Sequence, residues 1–212
     1  MKNIRYILLI LLIPCLIWIT GCGPKSVTTE PEDLQDLSRE WIPYSGNESV
    51  TYVYDTNEMI FSGQGRETYY ENIRYMTDQS GFFTLQEDYY ANLEREELVF
   101  ESPSSDYFIS YKLERDKGDT GDWDILRITL ADGFYYSNHL KIVVFETDNF
   151  DKGEVFKFSK SSTLNGVKYD SVYYWKQERR PFEIYYTKKQ GVIGFKLTPK
   201  EIWTLKSEPE DK

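Results

Sequence analysis

Residues 107–114, Tyr107-Phe108-Ile109-Ser110-Tyr111-Lys112-Leu113-Glu114, decide the fold class. Tyr107, Ile109, Tyr111 and Leu113 fall on one parity, and Phe108, Ser110, Lys112 and Glu114 on the other. A period of two with aromatic and β-branched residues is the pattern of a half-buried strand, because successive side chains of a strand point to opposite faces. The next segment repeats it: Trp123, Ile125 and Arg127 alternate with Leu126, Ile128 and Leu130. Working outward, Val50-Thr51-Tyr52-Val53-Tyr54, 140–145, 154–158, 168–175, 182–187, 192–197 and 201–205 read the same way. Turn chemistry separates them at Asp132-Gly133, Asp151-Lys152-Gly153, Asn165-Gly166, Gln190-Gly191 and Thr198-Pro199. Short strands at this spacing, with no helical stretches between them, predict an all-β fold: one antiparallel sandwich, half-barrel or barrel-like domain.

Two stretches carry helical signals. Thr29 and Glu32 have capping-box spacing, Pro31 suits a first turn, and Leu34, Leu37 and Trp41 fall at i, i+3 and i+7. They predict a short N-terminal helix over about residues 31–40, with a partly ordered charged linker as the competing reading. Leu85, Tyr89 and Leu93 would also form a helical stripe, but the stretch runs on into Leu98-Val99-Phe100. A long solvent-facing strand is preferred over residues 85–96.

The first twenty-two residues speak to location. Lys2 and Arg5 precede an apolar run from Ile7 to Ile19, interrupted by Pro14 and Cys15. A short positive region followed by a run of about 7–15 apolar residues is the form of a secretory signal peptide. The run falls short of the roughly 20 apolar residues that span a bilayer. Ile19-Thr20-Gly21-Cys22 then resembles the lipobox of bacterial lipoproteins. The resemblance implies cleavage between Gly21 and Cys22 and lipidation of Cys22 by acyl chains, palmitate among them. Gly23 follows the cysteine; enterobacterial lipoproteins retained at the inner membrane carry Asp there, so the same resemblance implies the outer membrane. Which side of that membrane the domain faces stays open.

The expected organisation is a signal peptide over 1–21, a flexible tether over 22–30, a single β-rich domain over 31–206 and an acidic tail over 207–212. Cys15 leaves with the signal peptide and Cys22 takes the lipid, so the fold is expected to stand without a disulfide. Removing Lys2 and Arg5 leaves 23 basic residues against 35 acidic ones, a net charge of −12 on the mature chain. Such a surface excludes nucleic acid as partner, because phosphate binding needs a basic face. It is also repelled by anionic headgroups, so membrane attachment falls to the N-terminal lipid.

The C-terminal third carries a second resemblance. Leu164-Asn165-Gly166-Val167-Lys168-Tyr169 through Tyr174, Ile184-Tyr185-Tyr186, Gly191-Val192-Ile193-Gly194-Phe195 and Ile202-Trp203-Thr204-Leu205 resemble the closing strands of uncharacterised Bacteroidota lipoproteins. Trp41-Ile42-Pro43-Tyr44-Ser45-Gly46 is similar to the entry segment of the same proteins. The resemblance implies lineage and architecture and transfers no catalytic residue.

Several constellations are candidates for chemistry. Five Tyr-Tyr pairs begin at Tyr69, Tyr89, Tyr135, Tyr173 and Tyr185. In a strand each pair sends one ring to either face, so core packing with the second ring in water explains them. The competing reading makes Tyr69, Tyr89, Tyr135, Tyr173 and Tyr185 ligand-facing aromatics that stack a sugar or another planar group. Asp116, Asp119, Asp122 and Asp124 place four carboxylates in nine residues. Oxygen-rich loops of this kind can wrap Ca²⁺, but the spacing is not that of an EF-hand, and a hairpin connection is the simpler reading. His139 is the single histidine and reads as a loop residue, which leaves a Ser-His-Asp or Cys-His mechanism one candidate base and no visible partners. No Walker loop, GxGxxG or HExxH motif is present, and no cofactor is expected.

The reading that follows is a membrane-anchored, non-catalytic binding or envelope-assembly module. Its partner is expected to be a glycan, a lipid or an envelope protein. The alternatives are a carboxylate-dependent glycan hydrolase and a purely structural subunit of an outer-membrane complex.

Overall fold

The computed structural model describes residues 25–78, 87–117, 121–132, 136–146, 156–177 and 182–206. Among the described residues, twelve strands and one short helix make up the regular structure: β1 Lys25–Thr28, α1 Asp36–Arg39, β2 Ser49–Tyr54, β3 Asn57–Asp78, β4 Glu87–Glu101, β5 Tyr107–Lys117, β6 Asp122–Asp132, β7 Tyr136–Glu146, β8 Lys157–Leu164, β9 Val167–Lys176, β10 Glu183–Thr187, β11 Gly191–Lys196 and β12 Ile202–Leu205. The expected all-β class is the observed one.

The chain divides into two units: residues up to Glu30 with Asn72–Asn92, and Pro31–Glu71 with the remainder from Leu93. In the first, β1 runs parallel to residues 87–90 of β4, Thr29 N–H donates to the Tyr90 carbonyl at 2.9 Å, and Arg74 lies 3.6 Å from Asp88. A strand therefore occupies part of the stretch read as a tether.

In the second unit eleven strands follow the order β7-β6-β5-β4-β3-β2-β12-β11-β10-β9-β8. The strand pairings along this path are antiparallel. The sheet curls into a half-barrel. β5 and β11 are five places apart in the order, yet the Val192 N–H donates to Tyr111 Oη at 3.1 Å, and Tyr52 Oη donates to the Val192 carbonyl at 2.9 Å. A bulge between Tyr185 and Tyr186 sets Tyr186 opposite Val192 and leaves Ile193 unmatched, interrupting the ladder where Val192 takes these two hydroxyls.

The concave face buries Tyr52, Phe61, Phe100, Tyr111, Tyr186 and Phe195 below 2% exposure. Their rings interlock edge-on, Tyr52 to Phe61 at 5.6 Å and Phe100 to Tyr111 at 6.1 Å between centroids. Each ring buries about 150–250 Å², and edge-to-face pairs add roughly 0.5–1.5 kcal/mol beyond that area. Tyr52, Tyr111 and Tyr186 are thus core residues, and their hydroxyls pair with backbone groups.

A smaller cluster on the other face joins Leu164, Tyr169, Val172 and Ile193, with Tyr185 and Ile202 packed against it. Its entry turn is the expected one: Asn165 and Gly166 take φ of 46° and 82°, the pair of positive values a two-residue hairpin needs. Ser171 takes φ of 56° at the one break in the β8–β9 ladder, where it does not pair with Lys160, and Tyr169 and Val172 on either side of it both pack into this cluster.

Five sequence expectations change. The helix spans Asp36–Arg39 alone, and Gln35 caps it without a side-chain bond. Glu32 instead forms a parallel bridge with Leu93, and Leu37 is 71% exposed, so the i, i+3, i+7 stripe does not form a buried face. A four-residue turn cannot stand by helix propensity and is held by tertiary bonds. The strand expected at 154–158 begins, among the described residues, at Lys157 and continues to Leu164. β3, 22 residues long, went unread because most of its residues beyond Phe61 are exposed or half-exposed and carry no apolar alternation. His139 belongs to strand β7, opposite Thr129, rather than to a loop. The preference for strand over helix in β4 holds from Glu87 onward, but the strand is not solvent-facing: Ala91, Leu93, Glu94, Arg95 and Glu96 are buried.

Candidate functional site

The inner face is not apolar throughout. β4 continues the parity of Leu98 and Phe100 to Glu96 and Glu94, which are 2% and 5% exposed. On the neighbouring strands Arg115 pairs in register with Asp124, 7% and 0% exposed. Several charged side chains thus sit at one end of a concavity whose other rows are aliphatic and aromatic. Burying a charge is strongly unfavourable unless it is paired and hydrogen-bonded, so each of these groups has to be matched.

The segment 31–46, here called the strap, supplies much of the matching. The Leu34 N–H donates to Glu94 Oε2 at 2.7 Å. The Gln35 N–H and the Ser38 hydroxyl donate to Asp124 Oδ2 at 2.9 and 2.6 Å, while Arg115 Nη1 reaches Asp124 Oδ1 at 3.0 Å. Arg39 forks across both glutamates, Nη2 to Glu94 and Nη1 to Glu96, each at 2.7 Å. Glu94 is the first cause of a raised Arg39 pKa, burial opposing it and Glu96 adding to it, so the guanidinium stays charged. Arg66 contacts Glu96 and donates to the carbonyls of Arg39 at 3.1 Å, Ile42 at 3.3 Å and Tyr44 at 2.9 Å.

The far half of the strap enters the aromatic core. Trp41 packs edge-on against Tyr173 at 5.3 Å and parallel to Tyr186 at 6.4 Å, and its carbonyl accepts the Tyr186 hydroxyl. Tyr44 packs on Phe100 and Tyr111 at 5.1 and 5.6 Å, and its hydroxyl donates to the Gln190 carbonyl at 2.6 Å. Burial pushes the Tyr44 pKa up to about 12. Gly191, at φ 73°, permits this approach: a Cβ there would lie 2.5 Å from Tyr44 Cε2. The half-barrel is therefore filled by its own rings and by its own N-terminal strap.

Outside the concavity, Gln64, Gly65, Glu67, Glu97, Val99 and Glu101 line an open depression of about 370 Å³. Tyr69 Oη lies 3.5 Å from Glu97 Oε2 beside it.

Residues singled out from sequence are placed as follows. Asp124 is an anchor for the strap, Asp122 pairs with Arg115 at 3.1 Å, and Asp116 accepts the Lys117 N–H at 2.9 Å; Asp119 lies outside the described residues. Among the described residues no group of three or more His, Cys, Asp or Glu side chains could hold a metal ion. Register pairs Tyr173 with Tyr186 and Tyr174 with Tyr185, so Tyr173 joins the core around Trp41 while Tyr185 stacks on Tyr174 at 6.1 Å on the opposite face. Adjacent parity thus separates Tyr173 from Tyr185. Tyr69 is 36% exposed on β3, Tyr89 lies 6.5 Å from Tyr75 in the first unit, and Tyr135 lies outside the described residues. Gly21 and Cys22 also lie outside them. His139 Nδ1 is 3.0 Å from Thr129 Oγ1, and burial followed by the Arg127 charge lowers its pKa. Among the described residues no helix is long and apolar enough to cross a membrane.

Sequence reasoning passed over Arg39, Arg66, Glu94, Glu96 and Arg115. One signal was available: Glu94 and Glu96 sit on the parity of Leu98 and Phe100, where acids need a buried partner. No protein-family model, curated protein or solved structure matches the chain.

Proposed function

We propose that this chain is a bacterial lipoprotein, anchored to the outer membrane through Cys22, that serves as a non-catalytic envelope-assembly module engaging a protein partner. The supporting observation is the strap. The concavity where a lipid or glycan would lodge is occupied by Trp41, Tyr44 and the Arg39 fork, which leaves recognition to the convex face and the strand edges. The hydrolase alternative would draw on paired carboxylates. Glu94, Glu96 and Asp124 are instead matched to Arg39, Arg66, Arg115 and strap N–H groups, an arrangement suited to holding the chain in place.

Metabolic labelling with palmitate, followed by membrane fractionation, tests the anchor. Wild-type chain is expected to be labelled and to sediment with outer membrane; Cys22→Ser is expected to be unlabelled and soluble. A Cys22→Ser chain that stays labelled and membrane-bound removes the lipobox from the argument. Three acyl chains at about 0.8 kcal/mol per buried CH₂ hold far more firmly than an acidic surface could.

A further inference from the structure

We propose that the outer edge of β8 is a docking edge for an extended acidic segment of a partner protein, which adds to the sheet as a further strand. β8 is the terminal strand of the sheet order and pairs with β9. A terminal strand presents a row of N–H and C=O groups that a second chain can pair, and strand addition is a common mode of peptide recognition. Lys157, Phe158, Lys160, Ser161 and Thr163 are all exposed, and among the described residues no strand pairs with β8 on the side away from β9. Phe158 is 49% exposed, with its ring 5.1 Å from Tyr173, and offers an apolar foothold beside the edge.

Charge selects the occupant. β8 holds two lysines and no acid, within a chain of net charge −10. β9 adds the exposed Lys168, and Lys176, which already pairs with Glu183 at 3.0 Å, against one exposed acid, Asp170. Lysines on an edge discourage pairing of like copies. In this case an antiparallel pairing that stacks Phe158 on Phe158 would set the two Lys157 side chains diagonally on one face, about 7–8 Å apart. An acidic strand meets the opposite situation, attracted at β8 and repelled by most of the remaining surface, which fixes where it binds.

The inference rests on the assembly reading for a reason to have a partner, but its test does not involve the lipid anchor, so the two can fail separately. The probe is a capped decapeptide with Glu at alternate positions and Val, Thr or Leu between them. It is titrated into the full-length chain in detergent, with fluorescence anisotropy and hydrogen exchange as readouts. Protection of the Lys157–Leu164 amides is expected. Affinity should fall by about tenfold or more for the same peptide with Lys in place of Glu, and likewise for the Lys157→Glu/Lys160→Glu chain. N-methylation of the peptide amides should abolish binding. Both lysines are exposed, and an unchanged unfolding midpoint confirms that the variant folds. The proposal is overturned if β8 is not protected, if charge reversal leaves affinity unchanged, or if β8 is protected without peptide in proportion to chain concentration, which would make a second copy the occupant.

Discussion

Replacing Arg39 by leucine would remove the cation that joins the strap to two buried glutamates. Breaking a buried pair by deleting one partner costs about 3–5 kcal/mol, because the other charge is left uncompensated. The structure places this case below that range. The Arg39 side chain is 30% exposed, while Glu94 and Glu96 are 6% and 3% exposed. Glu96 keeps Arg66, and Glu94 keeps the Leu34 N–H. A loss of about 2–3 kcal/mol is expected, equivalent to a midpoint fall of roughly 5–10 °C for a domain of this size. Urea unfolding followed by tryptophan fluorescence measures it, with Trp41 reporting on the strap itself. Arg39→Lys keeps the charge but cannot fork to both carboxylates, and should fall between wild type and Arg39→Leu. Adding Glu94→Leu to Arg39→Leu should cost less than the sum of the two single changes, with coupling above about 1 kcal/mol. A loss below 1 kcal/mol, or a strictly additive cycle, would show that the strap is held by its aromatic half alone.

Three further outcomes are expected. Tyr52→Phe leaves the Val192 carbonyl without its buried donor and should lower stability by about 1–2 kcal/mol in urea unfolding with little change in fold. Gly191→Ala forces an L-residue into φ 73° and drives Cβ against the Tyr44 ring; a loss of about 2–4 kcal/mol is expected, partly relieved by Tyr44→Leu in the same chain. Burial raises the Glu48 pKa, but hydrogen bonds involving Ser45 and the Gly46 N–H outweigh it and hold the carboxyl at about 2, against an ordinary 4.5. A depressed folded-state pKa contributes stability above the unfolded value, so this contribution should disappear as pH falls from about 4.5 to 2. Glu48→Gln should flatten that part of the stability–pH curve, and an unchanged curve would count against the loop geometry.

The fold was legible wherever a strand buries one face and wets the other. β5, β6, β9, β10 and β11 show a readable alternation or apolar run because core contact imposes it. β3 does not, because past Phe61 it has little core to face. The short helix was over-read from Leu34, Leu37 and Trp41. Spacing alone cannot tell a stripe that meets a partner from one that meets water, and Leu37 meets water.

By itself the sequence determined the all-β class, the Asn165-Gly166 and Gly191 turns and the acidic composition, since each rests on local geometry or on residue counts. The tertiary structure alone decided that the strap fills the half-barrel, that Tyr173 and Tyr185 face apart, and that Asp124 anchors the strap. Those facts depend on contacts such as Leu34 to Glu94 and Ser38 to Asp124, separated by 60 and 86 residues. A buried carboxylate and an exposed one are the same letter in the chain, and only the partner that folding brings to it distinguishes them.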